Sequence, residues 1–191
     1  MEKFELTILG CGSALPTTRH FATSQVINIR EKLYMIDCGE GAQLQMRRSR
    51  LKFSRLNHVF ISHLHGDHCF GLIGLISTFG LLGRTAPLYV HAPAAFGPIL
   101  QSLLDFFCKG LDFRVEFYPV DTSRHALIHE DRSVSIYSIP LRHRIECWCA
   151  PALHPPAARG CPSARWANSS PLPSATARAA SWLRRRCWTP S

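Results

Sequence analysis

The stretch Asn57-His58-Val59-Phe60-Ile61-Ser62-His63-Leu64-His65-Gly66-Asp67-His68 decides how this chain is read. Leu56 to Ser62 is an apolar run, short enough for a buried strand. It stops directly in three imidazoles and a carboxylate, all within six residues. Such nitrogen and oxygen donors suit borderline divalent cations, zinc foremost. His63 and His65 are two apart, so an extended segment points both the same way. Gly66 is expected to permit a sharp turn, sending Asp67 and His68 toward a second ion. Phe70 to Leu82, with Leu72, Ile73, Leu75, Ile76 and Phe79, reads as a helix that holds the loop rigid. A histidine-rich surface loop is the bland alternative, and the setting between a buried strand and a helix argues against it.

Outward from this motif, strands alternate with helices. Phe4, Leu6 and Ile8 alternate with polar residues in a first strand that ends at Gly10-Cys11-Gly12. Ser24 to Ile29 and Leu33 to Asp37 read as two strands joined through the charged turn Arg30-Glu31-Lys32. Gly39-Glu40-Gly41 leads into a short basic helix ending near Arg47-Arg48. Leu88 to His91 reads as a strand, Ala94 to Cys108 as a helix, and Phe113 to Val120 and Val134 to Ile139 as further strands. No internal repeat appears. The order implies an α/β fold in which sheet faces need helices outside them.

Local residues cannot complete a metal site, because a catalytic zinc wants about three protein ligands and water. His143 is the best distant candidate: Leu141-Arg142-His143 follows a strand, and a strand end delivers a side chain to a sheet edge. His58, His91, His125, His129 and His154 are weaker candidates, and His91 is left unassigned. His20 lies near the glycine-rich first loop and could face a substrate. Arg47-Arg48-Ser49-Arg50 and Arg19 suit phosphate contacts, or else form a solvated basic face.

The chain has 191 residues, enough for one domain with a buried core. No stretch approaches the roughly 18 apolar residues of a membrane span, and the start Met1-Glu2-Lys3-Phe4-Glu5 lacks a signal-peptide pattern, so a cytoplasmic location is expected. Eight cysteines are scattered without zinc-knuckle spacing, and Cys147-Trp148-Cys149 is only weak evidence for a metal. The net charge of +9 suggests a polyanionic partner. Six of those positive charges come from arginines after Cys147, in a stretch with no acidic residue.

That stretch differs in kind from the rest. From Trp148 to Ser191, Val, Ile, Phe, Tyr, Met, Lys, Asp and Glu are all absent. Such composition is not expected to build strands or a second core. Two readings stand: a disordered basic tail rich in Pro and Ala, or the product of a shifted reading frame. The organisation expected is therefore a hydrolase core over residues 1–147 and a tail over 148–191.

With Met35-Ile36-Asp37-Cys38-Gly39-Glu40-Gly41 upstream of it, the His63–His68 motif resembles the metallo-β-lactamase superfamily. Within that superfamily, Gly10-Cys11-Gly12-Ser13-Ala14-Leu15-Pro16, the Asp-Cys-Gly-Glu-Gly run and Pro140-Leu141-Arg142-His143-Arg144-Ile145 are similar to the ribonuclease Z family. Those are endonucleases that trim the 3′ trailer from precursor tRNA. The resemblance covers residues 1–147. It implies a four-layer αββα sandwich whose C-terminal half is missing or aberrant here, a homodimer, precursor tRNA as partner, and two zinc ions per subunit. His63, His65 and His143 would hold one zinc, and Asp67 and His68 the second. Two zincs roughly 3.5 Å apart could clamp a phosphate and ionise the attacking water. Asp67 would also act as catalytic residue, orienting that water, although a carboxylate tied to zinc is a poor free base. Asp37 is expected to support the loop through hydrogen bonds rather than to bind metal. A bridging aspartate and a final histidine of the family pattern, together with its tRNA-gripping arm, have no match in the tail. The alternatives are another hydrolase of this fold, such as a lactonase, thioesterase or arylsulfatase, or an inactive RNA-binding fragment.

Overall fold

The computed structural model describes residues 4–154. Strand β1 (Phe4–Gly10), β2 (Ser24–Ile29) and β3 (Lys32–Cys38) form an antiparallel meander. The β2–β3 hairpin closes through Arg30 and Glu31, with φ of 50° and 67°. Two consecutive left-handed residues are what a tight hairpin needs to match strand twist, and here non-glycine residues supply them. Glu31 also pairs with Arg55.

From β3 onward the chain winds in parallel. Helix α1 (Ala42–Arg48) leads to β4 (Leu56–Phe60). The short α2 (Gly66–Cys69) and α3 (Gly71–Leu81) lead to β5 (Leu88–Pro93), and α4 (Phe96–Phe107) leads to β6 (Val115–Val120). Strands β3, β4, β5 and β6 are parallel neighbours in a six-stranded sheet of order β1-β2-β3-β4-β5-β6. Parallel strands require crossovers, and α1, α3 and α4 supply them. Their apolar faces pack with Val26, Met35, Val59, Ile61, Val90 and Ala92 to form the larger core, which also holds Met46, Leu72, Leu75, Ile76, Phe79 and Leu100.

The other face of this sheet meets a second, three-stranded sheet of β7 (Ala126–Glu130), β8 (Ser135–Leu141) and β9 (Cys147–His154). Ile27, Ile29, Tyr34, Phe60 and Val120 from the first side pack on Val134, Ile136 and Trp148 from the second. The described residues therefore make three layers, helices, sheet and sheet, of the four expected. Edge strand β1 is not fully covered: Phe4, Leu6 and Ile8 are 62%, 50% and 45% exposed. They share a face with the inter-sheet residues, since Phe4 pairs with Ile29 and Leu6 with Ile27.

Arg84 locks the turn after α3. Its guanidinium donates to the carbonyls of Leu56, Ala86 and Pro87 and to Asn57 Oδ1, at 2.5–2.9 Å. It also lies over the rings of Phe79 and Phe113. Among the described residues, no helix is long and apolar enough to cross a membrane.

Two strands go beyond the sequence reading. Strand β7 carries no clean alternation and was not anticipated; it forms because β8 offers it an antiparallel ladder. The composition after Trp148 predicts no strand, yet β9 pairs with β8 from Leu141↔Cys147 to Ser135↔His154. Ladder hydrogen bonds come from the backbone, so a neighbouring edge can recruit residues of low strand propensity. Residues 155–191, the rest of the tail, lie outside the described residues. The sharp turn expected at Gly66 is the change from extended His65 to the first residue of α2, and the missing side chain makes room for Phe70, whose ring a Cβ would meet at 2.3 Å.

Candidate metal centre

Strand β4 is interior to its sheet, with β3 on one side and β5 on the other. Its C-terminal end therefore emerges at a fixed place, and Ser62-His63-Leu64-His65 extends from it before α2 begins. Ligands to an α/β sheet commonly gather outside the carboxyl ends of parallel strands. The His63 ring, 5% exposed, lies 4.8 Å from that of His65, 3.9 Å from His68 and 4.7 Å from His143. His143, from the segment after β8, also approaches His65 at 5.0 Å. His63, His65 and His143 each offer a ligand atom, all within 4.8 Å of one another.

Asp37, buried at the end of β3, organises this loop. One carboxylate oxygen accepts from the Ser62 amide at 2.8 Å, and the other accepts from Ser62 Oγ at 3.0 Å. The latter oxygen also meets His68 Nδ1 at 2.7 Å. With Nδ1 so engaged, Nε2 is the nitrogen left for a cation. It faces Asp67 Oδ2 at 3.5 Å. Asp37 itself has φ of 57°, a left-handed conformation that Asp tolerates better than most residues.

Asp67 is tied to the first loop: the Ala14 amide donates to its Oδ2 at 2.8 Å. Gly39 and Gly71 allow the close approach this requires. A Cβ on Gly39 would stand 2.5 Å from the Asp67 carbonyl, and one on Gly71 would stand 2.0 Å from the Gly39 carbonyl. The three runs Gly10–Pro16, Asp37–Gly41 and His63–Gly71 thus form one packed unit.

Electrostatics favours neutral imidazole at His63 and His143. Burial, and then the neighbouring His68, push His63 down to about 4. Burial and the His65 ring lower His143 as well. For His68, burial works downward, but the bond to Asp37 and its charge outweigh it and raise the value. Neutral imidazoles beside a carboxylate are the donor set that a borderline divalent cation takes. The residues present therefore fit a metal ion.

All five residues singled out by sequence, His63, His65, Asp67, His68 and His143, converge. Sequence reasoning missed others. Cys147 Sγ packs 3.7 Å from His63 Nδ1, and the Trp148 amide donates to the Ser62 carbonyl. The C-x-C pattern offered only weak evidence for a metal, because the contact depends on β9 lying against the end of β4. His20 is exposed, with its amide bonded to Thr17 Oγ1. His125 stacks on Tyr137. His58, His91 and His129, weaker candidates taken singly, form a second cluster within 4.8 Å.

A family model described as Anti-Pycsar protein Apyc1 matches residues 4–104, a little over half of the chain. Ribonuclease Z of Bacteroides thetaiotaomicron is 71% identical over 147 residues, which are 77% of this chain and 46% of that protein. The crystal structure of human tRNase Z, short form, matches with a TM-score of 0.68 at 28% identity, over 78% of this chain and 63% of that one. The chain belongs to the family of that model and is a ribonuclease Z-like member of the metallo-β-lactamase superfamily. The metallo-β-lactamase-fold protein YhfI from Bacillus subtilis, at 16% identity and a TM-score of 0.56, shares the fold over 75% of this chain and 55% of its own. This ribonuclease Z-like chain spans about half the length of the ribonuclease Z relatives it matches.

Proposed function

We propose that this chain carries the metal-binding half of a zinc-dependent endoribonuclease that removes the 3′ trailer from precursor tRNA. One observation carries the reading. His63, His65 and His143 converge at the end of β4 beside an Asp67–His68 pair, in a chain 71% identical over 147 residues to a ribonuclease Z. In this reading His63, His65 and His143 hold one zinc, and Asp67 and His68 hold a second. A zinc held by these residues would supply Lewis acidity toward a phosphodiester oxygen and toward the attacking water.

The chain's own residues do the positioning. Asp67, fixed through Oδ2 by the Ala14 amide, orients the attacking water through its remaining lone pairs. Asp37 holds His68 in the tautomer that leaves Nε2 unprotonated. Arg47, Arg48 and Arg50, exposed at the C-terminal end of α1, contact phosphates of the RNA. The same reading makes the protein a cytoplasmic homodimer with no membrane partner, on the strength of the resemblance. It treats residues 1–147 as hydrolase core and 148–191 as a tail from a shifted frame. Sequencing the gene across the codons for Arg144 to Ala150 tests that last part. It fails if no one-base correction restores patterned sequence.

The purified chain, supplied with zinc, is expected to cut a precursor tRNA at the 3′ trailer, and His63→Ala and Asp67→Ala are expected to abolish cutting. Turnover of a thioester or lactone with RNA left intact would move the assignment to another hydrolase of this fold. Salt-sensitive RNA binding without cleavage at any zinc concentration would leave an RNA-binding fragment.

A further inference from the structure

A second set of imidazoles lies between the two sheets, away from the His63 cluster. His58 on β4 and His91 on β5 point from the inter-sheet face of the first sheet, and His129 comes from β7 of the second. His58 Nδ1 and His91 Nε2 are 3.3 Å apart. The rings of His58 and His129 are 4.0 Å apart, and all three residues place a ligand atom within 4.8 Å of the others. Nitrogens about 2.0–2.1 Å from a tetrahedral zinc stand about 3.3–3.4 Å from each other, which the His58–His91 pair already matches.

Hydrogen bonding among the rings accounts for only part of the arrangement. One N–H can join His58 to His91, but His129 Nε2 is buried without a hydrogen-bond partner among the described residues. Asp131 Oδ2, at 3.9 Å from it, is too distant for one. Burial and the facing rings push His58 and His91 down to about 3, and burial lowers His129. The three therefore stay neutral and present lone pairs without competition from protons. Aromatic rings wall the site: Tyr34, Phe60 and Tyr89 lie near His58, and Tyr118 stacks on His91. Asp131, held by Lys32 at 2.7 Å and by Tyr34 at 2.9 Å, supplies a fixed negative charge beside His129.

We propose that His58, His91 and His129 form a second metal site, for a borderline divalent cation of the zinc class, which staples the two sheets together. Its role is structural. Two ligands come from the six-stranded sheet and one from β7, which pairs with β8 and packs Ile128 against the small inter-sheet core. Binding that needs both sheets in place stabilises the docked state and not the unfolded chain.

The test uses the full chain with His63→Ala, His65→Ala, Asp67→Ala and His68→Ala, which leaves His143 as the one remaining ligand of the other centre. After dialysis against zinc, this chain is expected to retain a single zinc ion and to melt at a higher temperature with zinc than with chelator. Adding His58→Gln and His129→Gln is expected to abolish both effects. A chain that holds no zinc, or one whose zinc survives the glutamine substitutions, overturns the proposal. A second measurement does not depend on those variants folding. In the otherwise unmodified chain, His129→Cys keeps a zinc-class donor, and loading with Co(II) is expected to add a thiolate-to-metal absorption band absent from the parent. Absence of that band in a folded, cobalt-loaded His129→Cys chain would equally refute the site.

Discussion

At the scale of single residues, the metal centre depends on a side chain that does not touch the ion's expected position. Asp37 binds Ser62 twice and His68 once, so it sets both the loop and a histidine tautomer. Asp37→Asn keeps the shape, and Asn also tolerates the left-handed backbone, but the amide cannot accept at both positions. The fold should survive while zinc affinity falls by about 10–100-fold, the usual cost of losing such a partner; competition with a chromophoric chelator measures it. The inter-sheet histidines make a different prediction. In unfolded chain they titrate near 6.5, whereas in the fold His58 and His91 resist protonation down to about 3. Unfolded chain thus binds more protons, so stability is full above pH 6.5 and falls as pH drops toward 3. Each histidine contributes a slope of about 1.4 kcal/mol per pH unit in that window. Urea unfolding of chelator-treated protein at pH 7.5, 6 and 5 should show the decline, and His58→Gln should flatten it.

At the scale of elements, the site exists because short segments approach one another without side chains between them. Gly71 begins α3 directly over the Gly39 carbonyl, and Gly39 lies against the Asp67 carbonyl. Gly71→Ala forces a methyl group into backbone that cannot yield as a side-chain tip does. A loss of about 1–3 kcal/mol is expected, seen as a lower urea midpoint, and zinc binding should weaken in parallel because α2 carries Asp67 and His68. Gly74→Ala is the control, since its added Cβ would meet the amide end of Gln43, which can move aside. Arg84 works at the same scale, tying the turn after α3 to the start of β4 and thereby fixing the strand from which the histidines emerge.

At the scale of the whole molecule, two cores of unequal size flank one sheet. The helix-facing core is extensive, and the inter-sheet core is small and stops short of β1. Phe4, Leu6 and Ile8 consequently leave an apolar strip along an edge strand, the kind of surface that promotes association. The chain should bind a hydrophobic dye and self-associate with rising concentration. Leu6→Lys together with Ile8→Thr should suppress both without lowering the melting temperature, because these side chains bury little. Light scattering and dye fluorescence check this, and unchanged association in the double variant would count against the strip as its cause.

The division between sequence and tertiary structure follows from the range of the forces involved. Periodicity and turn chemistry act over a few residues, so the strands and helices from Phe4 to Leu141 were legible almost throughout. The motif from His63 to His68 declared its donors because they are adjacent in the chain. His143 could be nominated only as a strand-end histidine, and the fold decided that it meets His65. Strands β7 and β9 escaped notice because neither carries its own pattern; each exists by pairing with β8. Asp37 at His68, Cys147 at His63, and the meeting of His58, His91 and His129 across two sheets join residues from 31 to 84 positions apart. No local rule reaches that far. Contacts of this kind are set by how the sheets stack, and the tertiary structure alone specifies them.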